Sequence, residues 1–587
     1  MRVEKETRTM ILLLLGMAMA APCAAQDDRD SDIPWGVSSS SSSFRNCGEW
    51  FPKMSAVGIR TVRLFPEWGG LQPAPETWNW DPADAMVKSA AAQKIEINAI
   101  LMGKASWRPG GVHAFPMKTL PEWSTWVGTT VGHYKDQIRY WEVWNEGNAG
   151  FNDGHHTTID YARLAIETYT AAKKANPRAQ VGLTVASFDA PYLQQAIRAQ
   201  AQAGQPDSFD YLCIHPYEIA DEVAHPNGEI PYLWMTSRIR QALKNAGSQK
   251  VGAPVWITEV GRRLDSRKGQ VVTEADAARS VVKLYTMALA QGIRRTQWFE
   301  AQDPEGEDQG FGLLGRNGQP RASYAAFQTM TSALGQKPSP QGWLALGAKG
   351  HGYGFVFQGA TAPVLVAWMP AAQTDASMKF TSAVDVLDPA GTRVTLPAGQ
   401  PLSLSETPVF VVGLPADLLR EAQGHLTKPF PWGGDYSATK TVRLDYGTRA
   451  DPIQGLFPTR PPALYTFADG SQGLLVEHDA PTNCYVHPSF ASLGTSEYYV
   501  RITVRRTVPG GVGMNCIYEV ADSQGRSPYK NRGEWFGLSS DPGWQTHTWH
   551  LQDAGFSTMW GFDLGFRPEQ SVSFAIGRVE VSTEPLK

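Results

Sequence analysis

Apolar and polar positions alternate in blocks along the first half of the chain. Short apolar runs stand at Ile33–Val37, Thr61–Phe65, Ile95–Met102, Ile138–Trp144, Val181–Ala186, Phe209–Ile214, Pro254–Thr258 and Arg295–Phe299. Stretches with helical spacing separate them: Glu49–Val57, Ala83–Gln93, Pro121–Tyr134, Ile159–Ala175, Tyr192–Ala203, Leu233–Ala246 and Thr273–Ala290. Thr273 with Asp276 has the spacing of an N-capping pair for the last of these. Continuous apolar strands are buried on both faces, so strands alternating with helices predict a parallel sheet covered by helices. Eight such units in about 250–300 residues predict a closed (β/α)8 TIM barrel over residues 26–335. The rival, an open doubly wound sheet, would more often carry a Gly-rich phosphate turn after its first strand. Here the serine run Ser38–Ser43 follows it, which reads as a flexible loop.

The helical period stops after Gly335. Short β-like runs at Tyr353–Phe357, Val364–Trp368, Ala383–Leu387, Arg393–Leu396 and Thr407–Val412 predict a small β-sandwich over 336–418. A bridging stretch, Pro415–Pro431, leads into a second strand-rich region. Its runs include Val442–Tyr446, Leu474–Glu477, Tyr498–Val504, Cys516–Val520, Thr546–Leu551, Phe562–Phe566 and Val572–Val581. Residues 419–587 are expected to form a jelly-roll-like β-sandwich.

Composition narrows the chemistry. With 587 residues, 42% of them apolar, the chain can bury large cores. Only 19% of residues are charged and the net charge is −4, which argues against nucleic acid as the main partner. The 20 Trp are the oddity.

Arg2, Lys5 and Arg8 precede the apolar run Met10–Ala20 and the small residues Ala21–Ala25. That is a signal-peptide pattern over residues 1–25, implying a secreted or periplasmic protein. The run is too short to span a bilayer, and no other stretch is long and apolar enough to be a transmembrane segment. Cys484 and Cys516 fall in one region and either pair or stand as small buried residues. No Cys–x–x–Cys or His-Glu-x-x-His spacing appears, so no metal site is expected; His155–His156 reads as a loop pair.

In such a barrel the active site lies at the C-terminal ends of the strands. Strand four ends in Trp144-Asn145-Glu146-Gly147-Asn148 and strand seven in Thr258-Glu259-Val260-Gly261. Two carboxyl groups facing one cavity are what glycosidic cleavage needs: an acid for the leaving oxygen, and a carboxylate to attack or stabilise the sugar cation. Burial near Trp would raise the pKa of the acid by desolvating its charged form. A lone Glu at a strand end is otherwise a solvated or ion-paired residue, the reading given to Glu142 and Glu300.

These segments resemble glycoside hydrolase clan A. Trp144-Asn145-Glu146 is similar to that clan's acid/base signature and Thr258-Glu259-Val260-Gly261 to its nucleophile segment. His215-Pro216-Tyr217, Arg63, Trp298 and the tail from Phe311 to Tyr324 match as well. The likeness covers residues of about 30 to 415 and is nearest to family 39-like enzymes, which include β-xylosidases, iduronidases and bacterial exopolysaccharide hydrolases. It implies a retaining hydrolase of β-glycosidic bonds, a carbohydrate substrate and no cofactor. Glu146 would be acid/base and Glu259 nucleophile. Asn145 would bind the sugar 2-hydroxyl, His215 and Tyr217 would orient the nucleophile and sugar, Arg63 would hold Glu259 ionised, and Trp298 would form the sugar's floor. Trp68, Trp107 and Trp141 read as core, with Trp68 and Trp107 able to line subsites. The final strand, Phe574–Val581, resembles that of carbohydrate-binding modules, so Trp432, Trp535, Trp544, Trp549 and Trp560 are either glycan grips or core. Two alternatives stay open: a non-catalytic glycan-binding barrel, and an exo-acting glycosidase of small glycosides.

Overall fold

A computed structural model describes residues 33–587 apart from 41–43, 45, 265, 268–269, 305–309, 372, 374–375, 448–451, 478–481, 492, 494–495, 510–511, 521–528 and 569–572. The expected signal segment, and part of the serine run, lie outside the described residues.

Eight parallel strands close into a barrel. They are β1 (Trp35–Ser38), β2 (Thr61–Arg63), β3 (Glu96–Leu101), β4 (Tyr140–Val143), β5 (Gln180–Ala186), β6 (Tyr211–His215), β7 (Val255–Val260) and β8 (Arg295–Phe299), with β8 returning to β1. Each predicted apolar run overlaps one of them. The helices between fall within two or three residues of the sequence reading, and capping explains the sharpest starts. Thr157 and Thr273 each accept the N–H three residues on, while Asp160 and Asp276 accept the Thr N–H in return.

Tryptophan excess is largely packing. Trp68, Trp123 and Trp126 cluster under the helices, and Trp141 is fully buried. Trp107 packs edge-on against Trp68, with the Arg108 guanidinium 4.3 Å from its ring. None of these five lines the main cavity described below. At the base of the barrel Tyr140, Tyr211 and Trp256 fill the interior, capped by Arg295 at 4.3 Å from the Trp256 ring.

Beyond the barrel, an antiparallel sheet of six strands runs from Ser339 to Val412 among the described residues, with the pair Ala376–Lys379 and Pro401–Leu404 beside it. One face of this sheet (Trp343, Phe355, Trp368) joins the barrel's own apolar core. At the seam, Glu229 is completely buried and accepts hydrogen bonds from Lys283 at 3.2 Å and Trp368 at 3.1 Å. The bridging stretch contains a helix the sequence reading did not separate, Ala416–Gln423. Residues from Thr441 to Ser582 form two antiparallel sheets around a separate apolar core. Within that core Cys484 and Cys516 are both free thiols, buried as small apolar residues are.

Candidate active site

Strand parity decides what enters the barrel mouth. On β2, Arg63 points inward and is 1% exposed. On β4 the inward residue is Glu142, also fully buried, and on β6 the inward series Tyr211, Cys213, His215 ends at the mouth. Glu142 is therefore an interior ion-pair partner: Arg63 Nε lies 2.8 Å from it and Thr184 Oγ1 donates at 2.9 Å.

After β4 the chain twists twice into left-handed backbone, at Trp144 (φ 63°) and Glu146 (φ 46°). Non-glycine residues held there cost about 1–3 kcal/mol each and gather at functional sites. The turn is pinned because Trp144 is fully buried, its N–H donating to Leu101 O at 2.9 Å and its indole to Phe151 O at 2.8 Å. The result sends Asn145 and Glu146 over the mouth.

On β7 a bulge does the aiming. Thr296 of β8 faces Ile257, but Trp298 faces Val260, so two steps on β8 meet three on β7. The extra residue lets Thr258 and Glu259 both turn inward, the re-aiming that bulges supply beside active sites. Thr258 reaches His215 Nε2 at 3.0 Å, and Glu259 meets Arg63.

Glu146, His215 and Glu259 each offer an atom within 4.8 Å of the other two. His215 Nδ1 lies 2.8 Å from Glu146 Oε1 and 3.9 Å from Glu259 Oε2. Tyr217 donates its hydroxyl to Glu259 Oε2 at 3.0 Å. Arg63 spreads three bonds, to Glu142, to Glu259 Oε1 and from Nη2 to Asn145 Oδ1 at 2.7 Å. The three donors could in principle gather a cation, but the Arg63 charge bonded to Glu259 opposes it.

The electrostatics differ from the sequence expectation at Glu146. Burial alone pushes its carboxyl up, but the His215 hydrogen bond and the charges of His215 and Arg63 outweigh it and hold Glu146 below the ordinary carboxylate range. Tyr217 is driven well above its usual range by burial and by the neighbouring carboxylates, so it stays a hydroxyl donor. Burial also lifts Glu218, on the cavity wall, to about 7. Glu300 is likewise lifted to about 7 by burial, against hydrogen bonds from Ser40.

A cavity of about 810 Å³ opens over these groups, and Arg63, Asn145, Glu146, Tyr217 and Glu259 line it. His215 sits just behind, fully buried. Two expectations are corrected. His215 touches Glu146 more closely than Glu259, because its Nδ1 edge faces the β4 turn. Trp298 does not line the cavity: strand parity turns its indole outward, where it is fully buried and donates to Phe311 O at 3.0 Å. The next residue, Phe299, faces the cavity with Phe311. A one-residue shift along β8 was the missed signal. Sequence reasoning also missed Arg262, which follows β7, and Arg460, from the terminal β region; Trp560 of that region, read as either a glycan grip or core, lines the cavity.

No protein-family model matches the chain. A β-xylosidase from Caldicellulosiruptor saccharolyticus is 25% identical over 236 residues, which is 38% of this chain and 48% of that protein. The chain thus spans about half the length of the curated relative it matches. A solved family 39 glycoside hydrolase from Bacteroides cellulosilyticus WH2 superposes with a TM-score of 0.53 at 18% identity, over 65% of this chain and 82% of that one. The likeness shows the fold: both chains carry the closed eight-stranded parallel barrel. A β-xylosidase of family 39 from Caulobacter crescentus aligns with a TM-score of 0.48 at 16% identity, over 65% of this chain and 97% of that one.

In this barrel the segments ending β4 and β7 meet at the mouth. The His215–Glu146 contact makes a pH test possible. In His215→Asn the imidazole that depresses Glu146 is removed while Arg63 stays, so the opposing effect of burial gains weight and the Glu146 pKa rises. An acid with a raised pKa keeps its proton to higher pH. The alkaline limb of kcat/KM is therefore expected to move upward in pH relative to the wild type, measured across pH 4–9; an unmoved limb assigns that limb to another group.

Proposed function

We propose that the protein is a retaining β-glycoside hydrolase acting on a poly- or oligosaccharide. The observation that carries this is the spacing of Glu146 and Glu259, which bring carboxylate oxygens within 4.8 Å of each other. Retaining enzymes hold their carboxyl groups about 5–5.5 Å apart, whereas inverting ones leave about 6.5–9.5 Å for a water.

Glu259 attacks the anomeric carbon while Glu146 gives its proton to the leaving oxygen. Glu146 then takes a proton from water, which releases the sugar from Glu259. Arg63 and Tyr217 hold Glu259 aimed, one at each carboxylate oxygen. Asn145, fixed by Arg63, presents its amide N–H₂ toward the sugar 2-hydroxyl. Substrate entry that breaks the His215–Glu146 bond leaves burial as the dominant influence on Glu146, which restores its proton for the acid step. Phe299 and Phe311 supply the apolar wall in place of Trp298. The basic start and apolar run Met10–Ala20 support export.

The test is a panel of 4-nitrophenyl β-D-xylo-, gluco-, galacto- and mannopyranosides, with the first-formed product read by proton NMR. The β-anomer is expected to appear before mutarotation. An α-anomer would show inversion and sink the double-displacement reading. Binding of oligosaccharides with no cleavage of any panel member would favour the non-catalytic glycan-binding barrel.

A further inference from the structure

The outer wall of the cavity is built partly from the far end of the chain. Arg460 and Trp560 both line it, as do Tyr217 and Arg262 of the barrel. Their placement is not that of a loosely tethered module.

The Trp560 turn is held rigidly from inside its own sandwich. Glu519, 1% exposed, accepts backbone N–H groups from Ser557, Thr558 and Met559 at 2.7, 3.0 and 2.7 Å. Asp563, fully buried, accepts Thr558 N–H at 2.6 Å and Val486 N–H at 2.7 Å. Thr558 is held in left-handed backbone at φ 58°. Such over-determined turns present a side chain in one direction.

The barrel clasps the same turn from outside. Arg238, buried on helix Met235–Ala246, donates to the Phe556 carbonyl. A Cβ on Gly561 would sit 2.8 Å from Glu222 Cγ, so this turn lies directly on helix Tyr217–Glu222. Arg460 Nη1 bonds Glu222 Oε2 at 2.6 Å, and Tyr485 donates to Asn227 O at 2.8 Å. The first residue of that helix, Tyr217, holds Glu259; its last, Glu222, holds Arg460.

We propose that Trp560 and Arg460 form a sugar subsite inside the catalytic cavity, taking a neutral pyranose unit beyond the one held at Glu146 and Glu259. This rests on the glycosidase reading. An indole offers a flat apolar face for the C–H face of a pyranose. The Arg460 side chain is 48% exposed and so can reach ring hydroxyls. Neutral sugar is the class the charges favour. Arg460 is matched by Glu222 and Arg262 by Asp221 at 2.6 Å, so the rim offers hydrogen-bond donors without a free cationic excess. The terminal sandwich therefore reads the substrate where it is cut.

The experiment compares wild type, Trp560→Ala, Trp560→Phe and Arg460→Ala on 4-nitrophenyl β-D-xylopyranoside and on xylotetraose, with matched gluco and manno pairs in parallel. The expected result is a fall of about tenfold in the ratio of kcat/KM for tetraose over aryl glycoside, carried mainly by KM. Trp560→Phe should recover part of it. A purely structural role would lower both substrates together, and an unmoved ratio in every pair overturns the proposal. Wild type inactive on all pairs would instead strike the glycosidase reading. Calorimetric titration with the tetraoses then decides the subsite: weaker binding by Trp560→Ala upholds it, and equal binding or none by wild type overturns it.

Discussion

Glu259→Ala is expected to lose about 10⁴-fold or more in kcat on any glycoside the protein cleaves, since the residues of a covalent mechanism act as one unit. The side chain is 13% exposed and held by two partners, Arg63 and Tyr217, so its removal empties the attacking position without opening the core. The chemistry makes the loss diagnostic. With no carboxylate on that face, sodium azide can enter and attack the anomeric carbon once, giving an α-glycosyl azide. In Glu146→Ala, by contrast, the glycosyl-enzyme still forms from substrates with good leaving groups, and azide then releases a β-azide. Azide products identified by NMR thus assign each carboxylate separately. Activity surviving in Glu259→Ala without azide would remove it from the mechanism.

Arg63→Met is expected to damage fold and chemistry together. Arg63 is fully enclosed, and although burial by itself disfavours its charge, Glu142 and Glu259 more than offset this and push its pKa up. Without it Glu142 remains a buried carboxylate, and breaking a buried ion pair from one side costs about 3–5 kcal/mol. Urea unfolding should show that loss as a lower midpoint, and Arg63→Met/Glu142→Leu should recover part of it. Activity should not recover in the double variant. There Glu259 lacks the guanidinium that fixes its Oε1, so the attacking carboxylate is no longer aimed and kcat stays low. Full stability in the single variant would show that Glu142 takes up a proton at little cost.

Much of this was legible before any coordinates. Continuous apolar runs placed all eight barrel strands, because a strand covered on both faces has no polar alternation to blur it. Glu146 and Glu259 stood out because each ends a strand in a matched local segment, and strand ends share one rim. What failed was finer than a segment. Trp298 and Phe299 differ by one position, and parity on β8 decides which faces the cavity. Likewise the β7 bulge, which turns both Thr258 and Glu259 inward, leaves no mark in composition. The direction of the Glu146 shift depends on a 2.8 Å contact with a residue 69 positions away. Arg460 and Trp560 reach the mouth through contacts between units that no local pattern encodes.

Glu229 has a consequence for how the molecule comes apart. Its carboxylate sits at the seam between the barrel and the Ser339–Val412 sheet, held by Lys283 from one side and Trp368 from the other. Lys283 belongs to the barrel like Glu229 itself, so separating the two units would break the Trp368 bond alone and bare the apolar face that they share. With one core between them they are expected to unfold as a single block, whereas the terminal sandwich, with its own apolar centre, has the means to open as a second.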